Sequence, residues 1–371
     1  MKTHSGFIWG CLLLMSCSGS AVKEPAPQKE GVKTPKNIIL MIADGTGLTH
    51  ITAGWYANGG VLNYGRFPVT GLVTTHAYDD MITDSAAGAT AYATGKKTRN
   101  GMLSQSPVDS SDLKTILEYA VENRFKTGII ATCSFTHATP AAFYGHQNRR
   151  NFVDESLALQ FLESGVNLLM AGGKEHFYKR RDQRNLIKEL KEKGYVMIDS
   201  LSQPGDWVFS EKLMFMAHNK HQPSIIDGRG DFLPQATDVA LKNLNHKNEG
   251  GFFIMIEGSQ IDWGGHDNRS EYIITELIDF DKAIGKALDF AEKDGNTLVL
   301  VVADHETGGY AINEGSLETG IIKPAFTTDY HTGVMVPIFA YGPGSEQFSG
   351  IMDNTTVHQK MIRLLGFNQK P

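Results

Sequence analysis

The segment Thr83-Asp84-Ser85-Ala86-Ala87 places a serine where a run of small residues begins, and that run continues to Thr94. Small side chains over this length predict a helix that packs closely against its neighbours. Ser85 would then lie at or next to the helix N-terminus, where serine is a common cap with no chemical role. The alternative is a nucleophile, because a helix N-terminus stabilises both an alkoxide and a bound phosphate. For that role a serine hydroxyl needs a neighbouring base or a metal ion.

Acidic and histidine residues follow several apolar segments of the chain, and their side chains are typical metal ligands. These residues are Asp44, His137, Glu257, Asp262, His266, Asp304 and His305. Because the carboxyl ends of parallel strands meet at one edge of a sheet, we expect these side chains to converge. Asp262 and His266 are four residues apart, which places both on one face of a helical turn. Each residue alone would be an ordinary capping residue, but their number at strand ends favours a functional site.

The chemistry that such a group supports is metal-dependent phosphoryl transfer. Mixed aspartate and histidine ligands suit zinc, and carboxylate with hydroxyl oxygen suits magnesium. The group holds more ligands than one ion can use, which predicts two or three ions. A two-metal site beside a serine at a helix N-terminus fits in-line displacement at phosphorus. The residues therefore predict a metal-dependent hydrolase that transfers a phosphoryl group.

The elements that must position these residues alternate between strands and helices, which predicts an α/β fold with a largely parallel central sheet and helices on both faces. Apolar runs predict strands at 37–43, 70–78, 126–133, 166–171, 195–198, 251–256, 297–303 and 334–341. Helices are predicted from a cap at 110–112 to residue 123, and at 154–164, 181–193, 233–246, 269–293 and 354–365. The segment 202–234 is predicted to be irregular. Within it, His218 and His221 are interpreted as surface residues and Arg229-Gly230-Asp231 as a turn.

The N-terminus has the pattern of an export signal. Lys2 precedes the apolar run 7–15, and small residues follow it. Leu14-Met15-Ser16-Cys17 resembles a bacterial lipobox, which predicts a signal at 1–16 and a lipid anchor on Cys17. The alternative is an ordinary signal peptide that is cut a few residues later. We expect a flexible tether at 17–36 and a single domain with short insertions at 37–371, in a protein that is periplasmic or anchored to the outer membrane.

The composition argues against a nucleic-acid partner and against stabilisation by an internal disulfide. The 371-residue chain has a net charge of −6, which argues against a nucleic-acid partner. Its notable basic run, Lys179-Arg180-Arg181 with Arg184, is interpreted as a solvated face. Cys11 lies in the predicted signal and Cys17 is the predicted lipid site, so only Cys133 remains and no internal disulfide is expected.

Six motifs spread over the chain after Lys36 resemble those of the alkaline phosphatase family. They are Asp-Gly at 44–45, Thr-Asp-Ser-Ala-Ala at 83–87, Ala-Thr-Pro-Ala-Ala at 138–142, Glu-Gly-Ser-Gln-Ile-Asp at 257–262, Ala-Asp-His-Glu-Thr-Gly-Gly at 303–309 and His-Thr-Gly at 331–333. The resemblance implies a phosphate monoester hydrolase that acts through a phosphoserine at Ser85. It also implies a homodimer and small-molecule phosphate monoesters as substrates.

The resemblance further implies a set of metal ligands. One zinc would bind Asp262, His266 and His331, and a second zinc would bind Asp44, Asp304 and His305 with Ser85 as its fourth ligand. A third ion, usually magnesium, would bind Asp44, Thr139 and Glu257. Arg150 would hold the phosphate oxygens with its bidentate guanidinium group.

Two residues depart from the pattern that many family members show. His137 stands where aspartate is common, which leaves the identity of the third metal open. Trp263 stands where lysine or histidine is common, which removes a cation that would help to bind phosphate. The combination resembles a subgroup of bacterial enzymes that includes cold-adapted members.

The rival activities are those of phosphodiesterases and other hydrolases of the same superfamily. The Cys/Ser-x-Pro-x-Arg signature of sulfatases is absent around Ser85. A phosphodiester lacks the third unesterified oxygen that Arg150 would hold. A rival from another class is a non-catalytic metal-binding surface protein, which would leave a serine among the metal ligands without a role.

Overall fold

The computed structural model describes residues 33–148, 153–202 and 205–367, and these belong to one compact unit that begins at Lys33. Strands β1 to β14 are Asn37–Ala43, Val69–Thr74, Lys126–Ser134, Leu168–Gly172, Tyr195–Ile198, Lys212–Met216, Phe252–Gly258, Thr297–Val302, Glu306–Thr307, Ala311–Gly315, Ile322–Ala325, His331–Thr332, Val336–Tyr341 and Gly350–Asp353. Helices α1 to α11 are Leu48–Ala57, Ser85–Thr94, Ile116–Glu122, Ala138–Ala141, Asp154–Glu163, Glu175–Tyr178, Leu186–Glu192, Phe232–Asn245, Gln260–His266, Ser270–Asp294 and Asn354–Leu364.

Ten strands form the central sheet, in the order β14-β2-β13-β8-β1-β7-β3-β4-β6-β5. Strand β13 runs antiparallel to both of its neighbours, and the other pairings in this sheet are parallel. Helices cover both faces, as the alternation of elements predicts. The predicted α/β fold with a largely parallel sheet is confirmed.

Strand β1 shows why the sheet lies between two layers of helices. Its side chains alternate, so that Ile38, Leu40 and Ile42 join one hydrophobic core while Ile39 and Met41 join the other. The first core includes residues of α2, α3, α5, α7 and α11, and the second includes residues of α1, α8 and α10. A strand that is apolar throughout is therefore buried on both faces, which is typical of parallel sheets.

The four neighbouring strands β8, β1, β7 and β3 are parallel, so their carboxyl ends lie at the same edge of the sheet. Asp304 follows β8, Asp44 follows β1, Glu257 lies near the end of β7, and His137 follows β3. The sheet thus brings together residues that are up to 260 positions apart in the chain.

Several predicted boundaries are wrong. The helix predicted from residues 110–112 begins instead at Ile116, because the Thr115 hydroxyl accepts the Glu118 amide and the Glu118 carboxylate accepts the Thr115 amide. The predicted helix 181–193 begins at Leu186, and the strand predicted at 70–78 ends at Thr74. These corrections affect the ends of elements and leave the order of elements intact.

Strand β6 and helix α1 are among the elements that the sequence analysis missed. The segment predicted to be irregular contains β6, which pairs in parallel with β4 on one side and β5 on the other. Helix α1 follows Asp44 and packs its buried face on α10. Strand β6 is short, and α1 buries only His50, Ala53 and Gly54, so neither element shows a long apolar pattern in the sequence. No helix in the described ranges has the length and apolar character that a membrane crossing requires.

Candidate active site

Ser85 is the first residue of α2, and the helix is capped by Asp84 rather than by the serine itself. The Asp84 carboxylate accepts hydrogen bonds from the amides of Ala87 (2.9 Å) and Gly101 (2.7 Å). The Ser85 side chain is therefore not needed as a cap, and its Oγ lies 3.3 Å from Nε2 of His305. Gly88 explains the small residues of α2, since a Cβ there would lie 3.1 Å from Cβ of Asp304. The helix approaches the end of β8 this closely only without side chains in between.

Three residues form a first group of ligand atoms: Asp262 and His266 in α9, and His331 in β12. Nε2 of His266 lies 3.1 Å from Nε2 of His331 and 3.4 Å from Oδ2 of Asp262. Nε2 of His331 lies 3.6 Å from Oδ1 of Asp262. The two α9 residues are one helical turn apart, while strand β12 supplies His331 by pairing with β9.

A second group surrounds Nε2 of His305. Oγ of Ser85 lies 3.3 Å from this nitrogen, Oδ2 of Asp304 lies 3.4 Å from it, and Oδ1 of Asp44 lies 3.7 Å from it. Asp262 joins the two groups, because ligand atoms of Asp44, Asp262 and His305 also lie within 4.8 Å of one another. The second group therefore gathers three oxygens around one imidazole nitrogen, and one of these oxygens is the serine hydroxyl.

The hydrogen bonds of the three histidines leave each Nε2 with a lone pair. Nδ1–H of His266 donates to the carbonyl of Asp329 (2.7 Å), and Nδ1–H of His331 donates to the carbonyl of Thr83 (2.8 Å). The Thr307 hydroxyl donates to Asp262 (2.5 Å), so it accepts from Nδ1–H of His305 (3.2 Å). Two Nε2 lone pairs that face each other at 3.1 Å repel unless a cation lies between them. Fixing the ring through the other nitrogen is the usual arrangement for a metal-binding histidine.

A third group lies at the ends of β3 and β7. It contains Cys133, His137 and Glu257, whose ligand atoms all lie within 4.8 Å of one another. Sγ of Cys133 lies 3.4 Å from Oε2 of Glu257. Oγ1 of Thr139 and Oε1 of Glu257 are buried, and neither makes a hydrogen bond of normal geometry within the described residues. The sequence analysis named Glu257 from its position at a strand end and Thr139 from the family resemblance, but it gave no signal for Cys133.

The carboxylates of these groups are almost completely buried. Asp44, Glu257 and Asp304 have no exposed surface, and Asp262 is 4% exposed. Burial raises the pKa of Glu257 to about 7, and burial together with the Asp304 carboxylate raises the pKa of Asp44 well above its usual value. In the described part of the chain, the ion pairs of these aspartates are to histidine and none is to lysine or arginine.

The donor atoms of the first two groups fit divalent metal ions. In a tetrahedral complex with bonds of about 2.0–2.2 Å, neighbouring ligand atoms lie about 3.3–3.6 Å apart. The separations in the first two groups, from 3.1 to 3.7 Å, agree with this spacing. Both carboxylate oxygens of Asp44, and Oδ2 of Asp304, are buried without a hydrogen bond among the described residues. Burial lowers the pKa of His331 to about 4, so its imidazole is neutral near pH 7 and able to bind a metal.

Comparison with known proteins agrees with this geometry. The family model described as alkaline phosphatase matches residues 35–325. The chain belongs to the alkaline phosphatase family. It is 33% identical to alkaline phosphatase 3 of Bacillus subtilis over 95% of this chain and 94% of that protein. It is 42% identical to the solved alkaline phosphatase of the Antarctic bacterium TAB5, over 91% of this chain and 100% of that chain, with a TM-score of 0.85.

A further solved structure shows a mutant of the TAB5 alkaline phosphatase in which a histidine is replaced by glutamate, with magnesium bound in the M3 site. It is also 42% identical to this chain, covers 91% of this chain and all of that chain, and has a TM-score of 0.86. These relationships identify the chain as a metal-dependent phosphate monoester hydrolase, which confirms the activity predicted from its motifs.

His221 lies at the rim of this alkaline phosphatase site, and the sequence analysis did not place it there. Trp263 lies edge-on to His221, with ring centroids 4.9 Å apart, and 5.9 Å from the ring of His137. The Ser134 amide donates to Nδ1 of His221 (3.0 Å), which fixes that ring. The interpretation of His221 as an exposed surface residue is correct for its accessibility, but it overlooked this contact with the site. The signal was weak, since a loop histidine has no periodic pattern.

Some predicted residues fall outside the structure. Arg150 lies outside the described residues, as do the predicted signal, the lipobox with Cys17, and the tether up to residue 32. Their roles stay predictions.

Proposed function

We propose that this alkaline phosphatase cleaves small-molecule phosphate monoesters by transferring the phosphoryl group first to Ser85 and then to water. One observation supports this role above others. Oγ of Ser85 lies 3.3 Å from Nε2 of His305, inside a group of buried carboxylates and imidazoles. A serine that was only a helix cap would not need that environment, and Asp84 already caps the helix.

The first group is proposed to hold one zinc ion through Asp262, His266 and His331. The second group would hold another through Asp44, Asp304 and His305, with Ser85 as a further ligand. A third divalent ion would bind beside Glu257, where Asp44 and Thr139 are the oxygen ligands that the family resemblance implies for magnesium. When bound, such ions stabilise negative charge on the attacking and leaving oxygens of phosphoryl transfer.

The residues of the chain then have distinct tasks. Oγ of Ser85 loses its proton and forms the new bond to phosphorus while the ester P–O bond breaks, and the leaving alkoxide takes up a proton and departs as the alcohol. Water next loses a proton and attacks phosphorus, the bond to Oγ of Ser85 breaks, Oγ is protonated again, and inorganic phosphate is released. The N-terminus of α2 attracts the phosphate because its helix dipole is positive there. Arg150 is proposed to hold two phosphate oxygens through its guanidinium group.

Replacing the nucleophile tests the proposal. Ser85→Ala should lower turnover of p-nitrophenyl phosphate on the order of 10⁴-fold or more, since the covalent step is lost. Ser270→Ala is a matched control, because Ser270 is also the first residue of a helix, and it should keep near-normal turnover. Bound metal should be measured in both variants, so that loss of the nucleophile is separated from loss of ions. Near-normal turnover in Ser85→Ala would refute the assignment.

A diester substrate separates the proposed activity from its rival. Bis-p-nitrophenyl phosphate should be cleaved far more slowly than the monoester by the unaltered enzyme. A preference for the diester would instead favour the phosphodiesterase alternative.

We also propose that the chain is exported, carries a lipid on Cys17 and forms a homodimer. Leu14-Met15-Ser16-Cys17 supports the lipid anchor, and family resemblance supports the dimer. Cys17→Ser should release the protein from the membrane fraction into the aqueous phase, and membrane association that persists in this variant would contradict the anchor. Sedimentation of the tether-free protein would measure its oligomeric state.

A further inference from the structure

The third group differs from the other two in containing sulfur. Cys133 is the only cysteine among the described residues, lies in β3 and is completely buried. Its Sγ lies 3.2 Å from the carbonyl of Ser134 and 3.4 Å from Oε2 of Glu257. Sγ, a ring nitrogen of His137 and a carboxylate oxygen of Glu257 all lie within 4.8 Å of one another. A thiol, an imidazole and a carboxylate therefore face one small space.

Oxygen atoms beside these side chains could complete the coordination of a cation. Oε1 of Glu257 and Oγ1 of Thr139 are fully buried without a hydrogen bond of good geometry in the described part of the chain, although the hydroxyls of Ser259 and Thr139 lie near enough to the Glu257 carboxylate to lower its pKa. Leaving buried polar atoms unpaired is costly, so native structures usually supply a partner. A bound ion satisfies them, and the atoms around it decide which ion fits.

The donor set fits magnesium poorly. Magnesium prefers an octahedron of oxygen ligands and keeps several of its waters. Thiolate and imidazole are instead typical ligands of zinc and of cobalt, which share a preference for nitrogen and sulfur donors. We propose that Cys133, His137 and Glu257 bind a zinc-class ion in preference to magnesium, with the sulfur of Cys133 as a direct ligand. This deepens the proposed function by naming the class of the third ion.

When the metal ion binds at the third group, it replaces the proton of the Cys133 thiol. The thiol of Cys133 releases its proton to solvent as the sulfur–metal bond forms, and no electron is transferred. The competing arrangement is magnesium on the oxygens of Asp44, Thr139 and Glu257. Glu257 belongs to both arrangements, so Cys133 and Thr139 are the residues that distinguish them.

Cobalt substitution tests the proposal directly. The full chain with Cys11→Ser and Cys17→Ser retains Cys133 as its one thiol. After metal removal it would be titrated with Co²⁺ and followed by near-ultraviolet and visible absorption. Because the first two groups offer only nitrogen and oxygen, a thiolate-to-cobalt charge-transfer band can come only from Cys133. We expect that band to appear and to persist in a large excess of Mg²⁺.

Two matched variants assign the band. Cys133→Ser should lose it while keeping the visible absorption of cobalt in the first two groups, which also shows that the variant has folded. Thr139→Val should keep it. Zinc affinity at the third group should fall by about 100-fold or more in Cys133→Ser, beyond the usual effect of losing an outer-shell contact.

The outcomes separate this proposal from that for Ser85. Absence of the band at every cobalt loading, or its loss when Mg²⁺ is added, overturns the zinc-class assignment even if turnover is normal. The Ser85→Ala protein should show the same band, so failure of the serine mechanism leaves this measurement unchanged.

Discussion

Two regions of this alkaline phosphatase bury carboxylates almost completely, and they differ in what balances the negative charge. The metal region consists of Asp44, Glu257, Asp262 and Asp304. The arginine cluster consists of Arg229, Glu276 and Asp279. Nη2 of Arg229 contacts the Glu276 carboxylate and lies 2.9 Å from Oδ2 of Asp279, and all three side chains are at most 2% exposed. In the metal region, the residues paired with the aspartates are histidines.

The comparison teaches that burial of acids does not by itself identify a site. Burial raises the pKa of Glu276 and Asp279, as it does for the acids of the metal region, but Arg229 opposes that rise. In the arginine cluster the side chain of Arg229 therefore supplies the positive charge. Its ion pairs with Glu276 and Asp279 hold the 222–231 segment against α10. Among the described residues the metal region has no lysine or arginine partner, so we expect metal ions from solution to supply its counter-charge. The source of the positive charge separates structural acids from functional ones.

Metal removal should give the largest effect and should act on the metal region alone. Dialysis against a chelating agent should lower monoester hydrolysis to background, and zinc should restore it. Each ion present at about 1,000 times its Kd stabilises the folded state by about 4 kcal/mol, so Tm should fall as well. Activity and calorimetric Tm would be measured on the same samples. An apoprotein with normal activity would show that the metal region is not the catalytic site.

Removing the arginine should give the next largest effect, on stability. Arg229→Ala leaves two buried carboxylates without a partner and should cost about 3–5 kcal/mol of unfolding free energy. Arg66→Ala is the matched control, because Arg66 pairs with Asp289 and Glu292 while 31% exposed, and it should cost less than about 1 kcal/mol. Urea unfolding measures both. Equal effects of the two substitutions would contradict the comparison.

The pH dependence of the apoprotein should give a smaller effect. A carboxyl group whose pKa is raised to about 7 destabilises the fold as the pH rises through 7, since its charged form is buried. Relative to Glu257→Gln, the metal-free protein should therefore lose about 1 kcal/mol of unfolding free energy between pH 6 and pH 8. Taking the difference between the two proteins removes the titration of the histidines. With zinc bound the variant should be the less stable protein at both pH values, and a pH-independent difference in the apoproteins would contradict the argument.

Placing a positively charged side chain beside the metal region should give the smallest effect. Trp263→Lys makes the rim resemble the arginine cluster and should tighten inhibition by phosphate by up to about 1 kcal/mol, the scale of a water-exposed ion pair. Trp263→Met is the control, because it removes the ring without adding charge. The measurement is the phosphate inhibition constant at fixed zinc and magnesium. If lysine leaves it unchanged or weakens binding, Trp263 is a packing residue beside His137 and His221.

The sequence predicted the metal region better than the arginine cluster, for a reason of position. Asp44, Glu257 and Asp304 end or follow strongly apolar strands, and parallel strand ends share one edge of the sheet. Arg229 lies in a segment predicted to be a turn, and its partners lie on α10, whose helical pattern does not indicate ion pairing. No local sequence pattern indicates an ion pair between residues that are about 50 positions apart.

What the amino-acid sequence determined was the α/β alternation, the strands buried on both faces, the serine at the start of α2 and the acids at the strand ends. Each element follows from the side-chain pattern of its own segment, and the α/β alternation follows from the order of those segments. The tertiary structure alone decided that β6 joins the sheet and that Asp84 rather than Ser85 caps α2. It also decided that Cys133 lies against Glu257 and that Nε2 of His331 lies 3.1 Å from Nε2 of His266. These facts depend on contacts between distant segments, which form only when burial of the apolar strands fixes the register of the whole sheet.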